Sequence, residues 1–215
     1  MSEREAAAAR LWLDAMHAIG RPLAHEVKNA LNGLSVNLEV VRSRASVPEA
    51  QAAGITRFAD AAAEQLGVVT SVTESLLDMV RPAPPAAGLV PLVERLGVLL
   101  RAIARPDGGE VRVEAPGDPV PTALGGAELR AVVAGLLVGA FERTAKLSCE
   151  VGGGAEPTLR LARDGAALPD LPDEVRRVAT RAGVRLELNP ASWTATFPAR
   201  DGQPAEPNHP AATHA

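Results

Sequence analysis

RPLAHEVKNALNGLSVNLEVV, residues 21–41, decides how the chain begins to fold. Leu23, Val27, Leu31, Leu34, Leu38 and Val41 recur at spacings of four and three, which is one stripe of an α-helix. On a wheel of about 100° per residue the stripe fills an arc of about 80°. His25 falls near the opposite side, with Asn29 and Asn32 projecting close to it and Lys28 on its flank, so its imidazole is expected in solvent. His17 reads as an ordinary solvated histidine.

Working outward, residues 4–45 hold no proline except Pro22, and the helix is expected to stop near Arg44, before the breaker Ser46-Val47-Pro48. A second helical pattern runs from Glu49 to about Met79 through Ile55, Phe58, Ala62, Leu66, Val69, Val72 and Leu76. RPAPP at 81–85 ends it, because proline lacks the amide proton a helix interior needs. Two long helices joined by a short turn predict an antiparallel hairpin. A lone hairpin leaves much of each stripe uncovered, and a second copy would cover it, so a four-helix bundle across a homodimer is expected.

Beyond the prolines the texture changes. Leu89–Ala104 is helix-like, and 127–144 and 172–182 are further helical segments. EVRVEA (110–115), KLSCEV (146–151), TLRLA (158–162), VRLEL (184–188) and WTATF (193–197) alternate apolar and polar residues between turn formers, the mark of strands. Helices set between strands predict an α+β chain whose second half is an α/β sandwich with helices on one face. The expected division is a hairpin over 1–82, a linker over 83–88, a sandwich over 89–199 and a disordered tail over 200–215, where large apolar residues are nearly absent.

Composition narrows the function. Apolar residues are 47% of 215, ample for a core, but aromatics are only 2% and tyrosine is absent, so Ala, Val and Leu must build it. A net charge of −4 with no dominant basic patch argues against nucleic acid. Cys149 is the single cysteine, which rules out an internal disulfide and reads as a small buried hydrophobe. MSEREAAAARLWLDAM lacks the apolar centre of a signal peptide. No run approaches the roughly 20 apolar residues of a membrane span, so a soluble, cytoplasmic protein without membrane insertion is expected. His209 and His214 are too isolated to form a metal site.

The residues around His25 suit phosphoryl chemistry. An exposed imidazole is a nucleophile near neutral pH. A carboxylate at the next position, Glu26, can accept a proton or orient a ring, and the amide of Asn29 one turn on can position a water or a phosphoryl oxygen. A zinc protease motif fails, because Asn29 stands where HExxH needs its second histidine.

LAHEVKNALNGLSVNLEVV resembles the phosphoacceptor box of the sensor histidine kinases, carried on the first helix of a dimeric hairpin. His25, Glu26, Val27, Lys28, Asn29 and Leu31 match that pattern, and Ala30 replaces its usual proline. The resemblance implies that His25 is the phosphorylated residue and Glu26 its acid/base partner. Glu26 and Asn29 also match the family's Glu-x-x-Asn/Thr pattern for dephosphorylating a response regulator.

The second half resembles the same family's ATPase domain, with its nucleotide contacts gone. Gly135 and Gly139 stand where the asparagine box has its two asparagines, the second of which normally holds magnesium. In LRLARDGAALP (159–169) Arg163 occupies the place of the adenine-reading aspartate, and Ala167 that of a glycine. A guanidinium only donates, so it cannot accept the adenine amino hydrogen. The glycine-rich lid is missing before VRRVATRAGVRLEL. The resemblance therefore implies a protein with no cofactor or metal of its own, which exchanges phosphoryl groups between His25 and response-regulator aspartates. Magnesium would sit on the partner receiver. Two other readings stand beside it: a catalytically inactive pseudokinase that docks a regulator or kinase, and an ATP-dependent kinase with unusual nucleotide contacts.

Overall fold

A computed structural model describes residues 2–45, 52–81, 88–118 and 120–200. The expected breaker at 46–48, most of the linker, and the tail from 201 with His209 and His214 lie outside the described residues.

The first helix, α1, spans Glu3–Ala45. Its start is fixed by a reciprocal cap: the Glu5 amide donates to Ser2 Oγ at 3.2 Å and the Ser2 amide donates to Glu5 Oε2 at 2.7 Å. The second, α2, spans Ala52–Val80 and runs back along α1. Asn37 Nδ2 donates to Gln65 Oε1 at 3.3 Å, while Arg44, further along α1, stacks over Phe58, earlier in α2. That descending order of partners makes the hairpin antiparallel.

The expected stripe is only partly covered. Leu23 is buried, but Leu31 and Leu38 are 44% and 52% exposed, and on α2 Leu66 and Leu76 are 52% and 37% exposed. What α1 buries instead is Ala8, Leu11, Ala15, Ile19, Leu23 and Glu26, spaced three and four apart on one face. This face packs into the second half of the chain.

There, helix α3 spans Leu89–Ala104, α4 Gly126–Ala140 and α5 Asp173–Arg181. Five strands, β1 (Glu110–Glu114), β2 (Lys146–Gly152), β3 (Thr158–Arg163), β4 (Arg185–Leu188) and β5 (Ser192–Thr196), form one mixed sheet in the order β1-β2-β3-β5-β4. β1 and β2 run parallel, and every other pairing is antiparallel. A parallel neighbour demands a crossover, and α4 supplies it between β1 and β2. The β4–β5 turn is set by Asn189, whose Oδ1 accepts from the amides of Ala191 (3.0 Å) and Ser192 (2.8 Å).

Alternation along the strands sends Leu147, Cys149 and Val151, Leu159 and Leu161, and Trp193 and Ala195 into the core. They join Leu96, Leu99 and Ile103 of α3 and Leu129, Leu136 and Leu137 of α4. Each Leu, Val or Ile among them contributes roughly 1.5–3 kcal/mol by leaving water. The chain is thus α+β, as expected: a helical hairpin, then a sheet with helices on one face.

Most boundaries agree with expectation to within one residue, and α4 differs by more. β5 starts and ends one residue earlier. α4 ends at Ala140 instead of continuing to residue 144, because Phe141 is extended (φ −76°, ψ 139°) and the turn that follows feeds β2.

Candidate functional site

His25 lies on the exposed side of α1 and has no hydrogen bond or ion pair among the described residues. This is the placement the wheel predicts. Lys28, Asn29 and Asn32 are exposed beside it.

Glu26 is placed differently. One residue on, it falls on the buried face of α1 and is 8% exposed. Its two oxygens are taken separately. Oε2 accepts from Asn29 Nδ2 at 3.4 Å, one turn along the same helix. Oε1 accepts from Arg143 Nη2 at 3.2 Å, in the turn after α4. Arg143 Nε in turn lies 2.5 Å from Asp107 Oδ2, in the turn after α3. Glu26 and Asn29 are therefore brought together, and no hydrogen bond links His25 to Glu26.

Both residues line a cleft of about 870 Å³ between the hairpin and the second lobe. Ala30 of α1, Val68, Ser71 and Val72 of α2, and Val98, Arg101 and Ala102 of α3 also face it. Its carboxylates are paired: Glu26 with Arg143, Glu64 with Arg105, and Glu110 with Arg112. Arg112 holds the Glu110 carboxyl below its ordinary range by hydrogen bond and charge.

Of the four positions read as altered nucleotide contacts, Ala167 is exposed and the other three are in contact with the protein's own side chains or backbone. A Cβ on Gly135 would sit 3.0 and 3.1 Å from the two Val175 methyls of α5 and 3.3 Å from Leu11 of α1. A Cβ on Gly139 would meet Pro172 at 3.4 Å and the Trp193 ring at 3.5 Å. The Arg163 side chain is 7% exposed, with Nε donating to the Ala140 carbonyl at 2.8 Å and Nη1 to Glu142 Oε2 at 2.7 Å. Among the described residues no group of His, Cys, Asp and Glu could hold a metal ion.

Four arginines had no motif to announce them. Arg143 reaches Glu26 from a turn far away in sequence, and Asp107 pairs with Arg143. Arg130 of α4 donates to the carbonyls of Met79 (3.3 Å) and Arg81 (2.7 Å) and lies over the Trp12 ring at 5.9 Å, tying α1, α2 and α4 together. Arg4 of α1 pairs with Glu128 of α4, and Arg181 of α5 pairs with Glu3.

No protein-family model matches the sequence, and no curated protein matches it. Among solved structures the chain is similar to the Acinetobacter baumannii histidine kinase AdeS, at 10% identity over 82% of this chain and 98% of that one, with a TM-score of 0.45. It is similar to the cytoplasmic segment of the histidine kinase QseC, at 14% identity over 64% of this chain and 94% of that one, with a TM-score of 0.43. It is also similar to a bacterial phosphotransferase, at 13% identity over 86% of this chain and 95% of that one, with a TM-score of 0.40.

Proposed function

We propose that the chain is a histidine-kinase-like signalling protein that moves phosphoryl groups between His25 and the aspartates of response-regulator receiver domains without using ATP. The observation that carries this reading is a contrast. His25 stands open to solvent beside Glu26 and Asn29, while positions 135, 139 and 163 are packed by the protein's own side chains.

In the forward step a ring nitrogen of His25 attacks the phosphorus of an aspartyl phosphate. The new N–P bond forms as the P–O bond to the aspartate breaks, and the carboxylate departs with the electron pair. The proton on the other ring nitrogen then leaves to solvent or to Glu26. Passing the group to a second receiver reverses these bonds. When water is the acceptor, Asn29 orients it and the products are inorganic phosphate and the free aspartate. Magnesium belongs to the receiver in either case. Lys28 offsets phosphate charge. Two copies would join through the outward apolar residues of the hairpin into a four-helix bundle, presenting two His25 side chains. Among the described residues no helix is long and apolar enough to cross a membrane.

A second reading has one observation in its favour. Glu26 is buried and engaged by Arg143, away from His25, which suits a pseudokinase that docks a receiver and does no chemistry. Label-tracking separates the two. Phosphorylated receivers are mixed with the wild-type protein and with His25→Ala, and the label on each protein is followed. Transfer to the wild type alone supports the phosphotransferase. Loss from the receiver without label on the chain supports hydrolysis through Asn29 and Glu26. No effect on any receiver leaves the docking module.

A further inference from the structure

The carboxylate beside His25 is held by the other lobe. Glu26 comes from α1, and the guanidinium on its Oε1, 3.2 Å away, comes from the turn after α4. Arg143 is itself fixed from two sides. Its Nε lies 2.5 Å from Asp107 Oδ2. Its backbone is pressed against Gly109, where a Cβ would fall 2.0 Å from the Arg143 carbonyl oxygen. The turn is pinned further by the Glu110 amide, which donates to the Ala145 carbonyl at 3.1 Å, and by the Ala145 amide, which donates to the Glu142 carbonyl at 3.2 Å. The backbone that carries Arg143 is thus held in place, while its side chain, 41% exposed, reaches out to the two carboxylates. The guanidinium meets two carboxylates: Nη2 donates to Glu26, and Nε pairs with Asp107 by charge without a hydrogen bond.

We propose that Arg143 is a positioning residue for phosphoryl transfer at His25: through the Asp107–Arg143–Glu26 chain the second lobe sets the place of the carboxylate next to the phosphoacceptor. The lobe then has a chemical role that does not involve nucleotide. This rests on the phosphotransferase reading. Arg143 acts through Glu26 and touches neither the imidazole nor the phosphoryl group.

The test uses the full chain and a phosphorylated receiver that labels it, with initial transfer rates measured over a range of receiver concentrations. Arg143→Ala is expected to lower the rate at saturating receiver by about tenfold or more, the scale of a misplaced proton-transfer group. The half-saturating receiver concentration should change little, since docking is untouched. Arg143→Lys should recover part of the rate, because an ammonium can hold Glu26 but is a compact point charge that does not also reach Asp107. Asp107→Asn, which leaves Arg143 its contact with Glu26, should give a smaller loss. The double variant Arg143→Ala/Glu26→Gln should be no slower than Glu26→Gln alone, because two groups acting through one effect do not multiply. Wild-type rates in Arg143→Ala, losses that multiply in the double variant, or a Glu26→Gln protein as fast as wild type would each overturn the role given to Arg143. A wild-type chain that takes no label at His25 would instead overturn the phosphotransferase reading, and the role of Arg143 would go with it.

Discussion

Arg163 closes the end of α4 at Ala140, donating from Nε to that residue's carbonyl at 2.8 Å while Nη1 reaches Glu142 at 2.7 Å. The last carbonyls of a helix carry partial negative charge and no intrahelical donor, so a guanidinium suits them well. The residue that resembles a lost adenine contact is therefore a helix cap.

Restoring an aspartate there should harm the fold and gain nothing. Arg163→Asp puts a carboxylate among the carbonyls that now accept from the guanidinium, at a site where the side chain is 7% exposed. Glu142 is 54% exposed, so the cost falls on the new carboxylate, a charge buried without a partner, at about 3–5 kcal/mol. Urea unfolding followed by circular dichroism should show a midpoint lowered accordingly. Equilibrium titration with ATP should remain flat for the wild type and for the variant, and micromolar binding by the wild type would sink the reading of a nucleotide-free lobe.

Gly135 and Gly139 look alike in sequence and should answer substitution differently. At 135 both Val175 methyls stand within 3.1 Å of the new Cβ, and a β-branched side chain on a helix has one preferred rotamer, so it cannot swing aside. Gly135→Ala should therefore destabilise by about 1–3 kcal/mol, the range for overpacking. At 139 the nearest atoms are 3.4–3.5 Å off, which is ordinary contact. Gly139→Ala should be neutral or stabilise by up to about 1 kcal/mol, the helix-propensity difference between the two residues. Thermal unfolding of the pair of variants checks both signs in one experiment.

The elements of the fold were largely legible because their signals are local. The periods of α1, α2, α3 and α5 and the alternation in each strand are read over about ten residues, and their edges agree with the structure to within a few positions. The end of α4 was not legible, because the guanidinium that caps its last carbonyl comes from Arg163, 23 residues on. At the site, His25 was legible because it sits opposite an apolar stripe. The burial of Glu26 was not, since a carboxylate on a helix reads as polar face. One signal did exist: Ala8, Leu11, Ala15, Ile19 and Leu23 form a second stripe, and Glu26 continues it three residues later. Arg143 could not be found this way, as it meets Glu26 across 117 residues with no periodicity to connect them.

The exposed apolar residues of the hairpin predict association. Leu38 and Leu66 are each 52% exposed, and with Leu31 they leave apolar surface on both helices uncovered within a single chain. Light scattering of the wild type at micromolar concentration should give twice the chain mass. Leu38→Asp and Leu66→Asp should each shift the protein to the monomer, because a charge placed in a desolvated interface stays unpaired. Persistence of a wild-type monomer would count against the bundle.

Burial also predicts a titration in the alkaline range. Cys149, in the middle of β2, is 1% exposed, and desolvation pushes its thiol from 9.0 up to about 12. Burial disfavours the thiolate, so above the unfolded value the folded chain still holds a proton that the unfolded chain has released. Fewer protons on the unfolded side mean that stability falls as pH rises, by up to about 1.4 kcal/mol per pH unit. The loss should be confined to the window between 9.0 and about 12. Below 9.0 both states are protonated, and this group contributes no slope. Urea midpoints measured across that window should fall more steeply for the wild type than for Cys149→Ala, which has nothing to titrate at that position. At pH 8 the folded thiol should resist alkylation, and labelling should proceed only at the rate at which the chain opens; rapid labelling of the native protein would contradict its burial in the core.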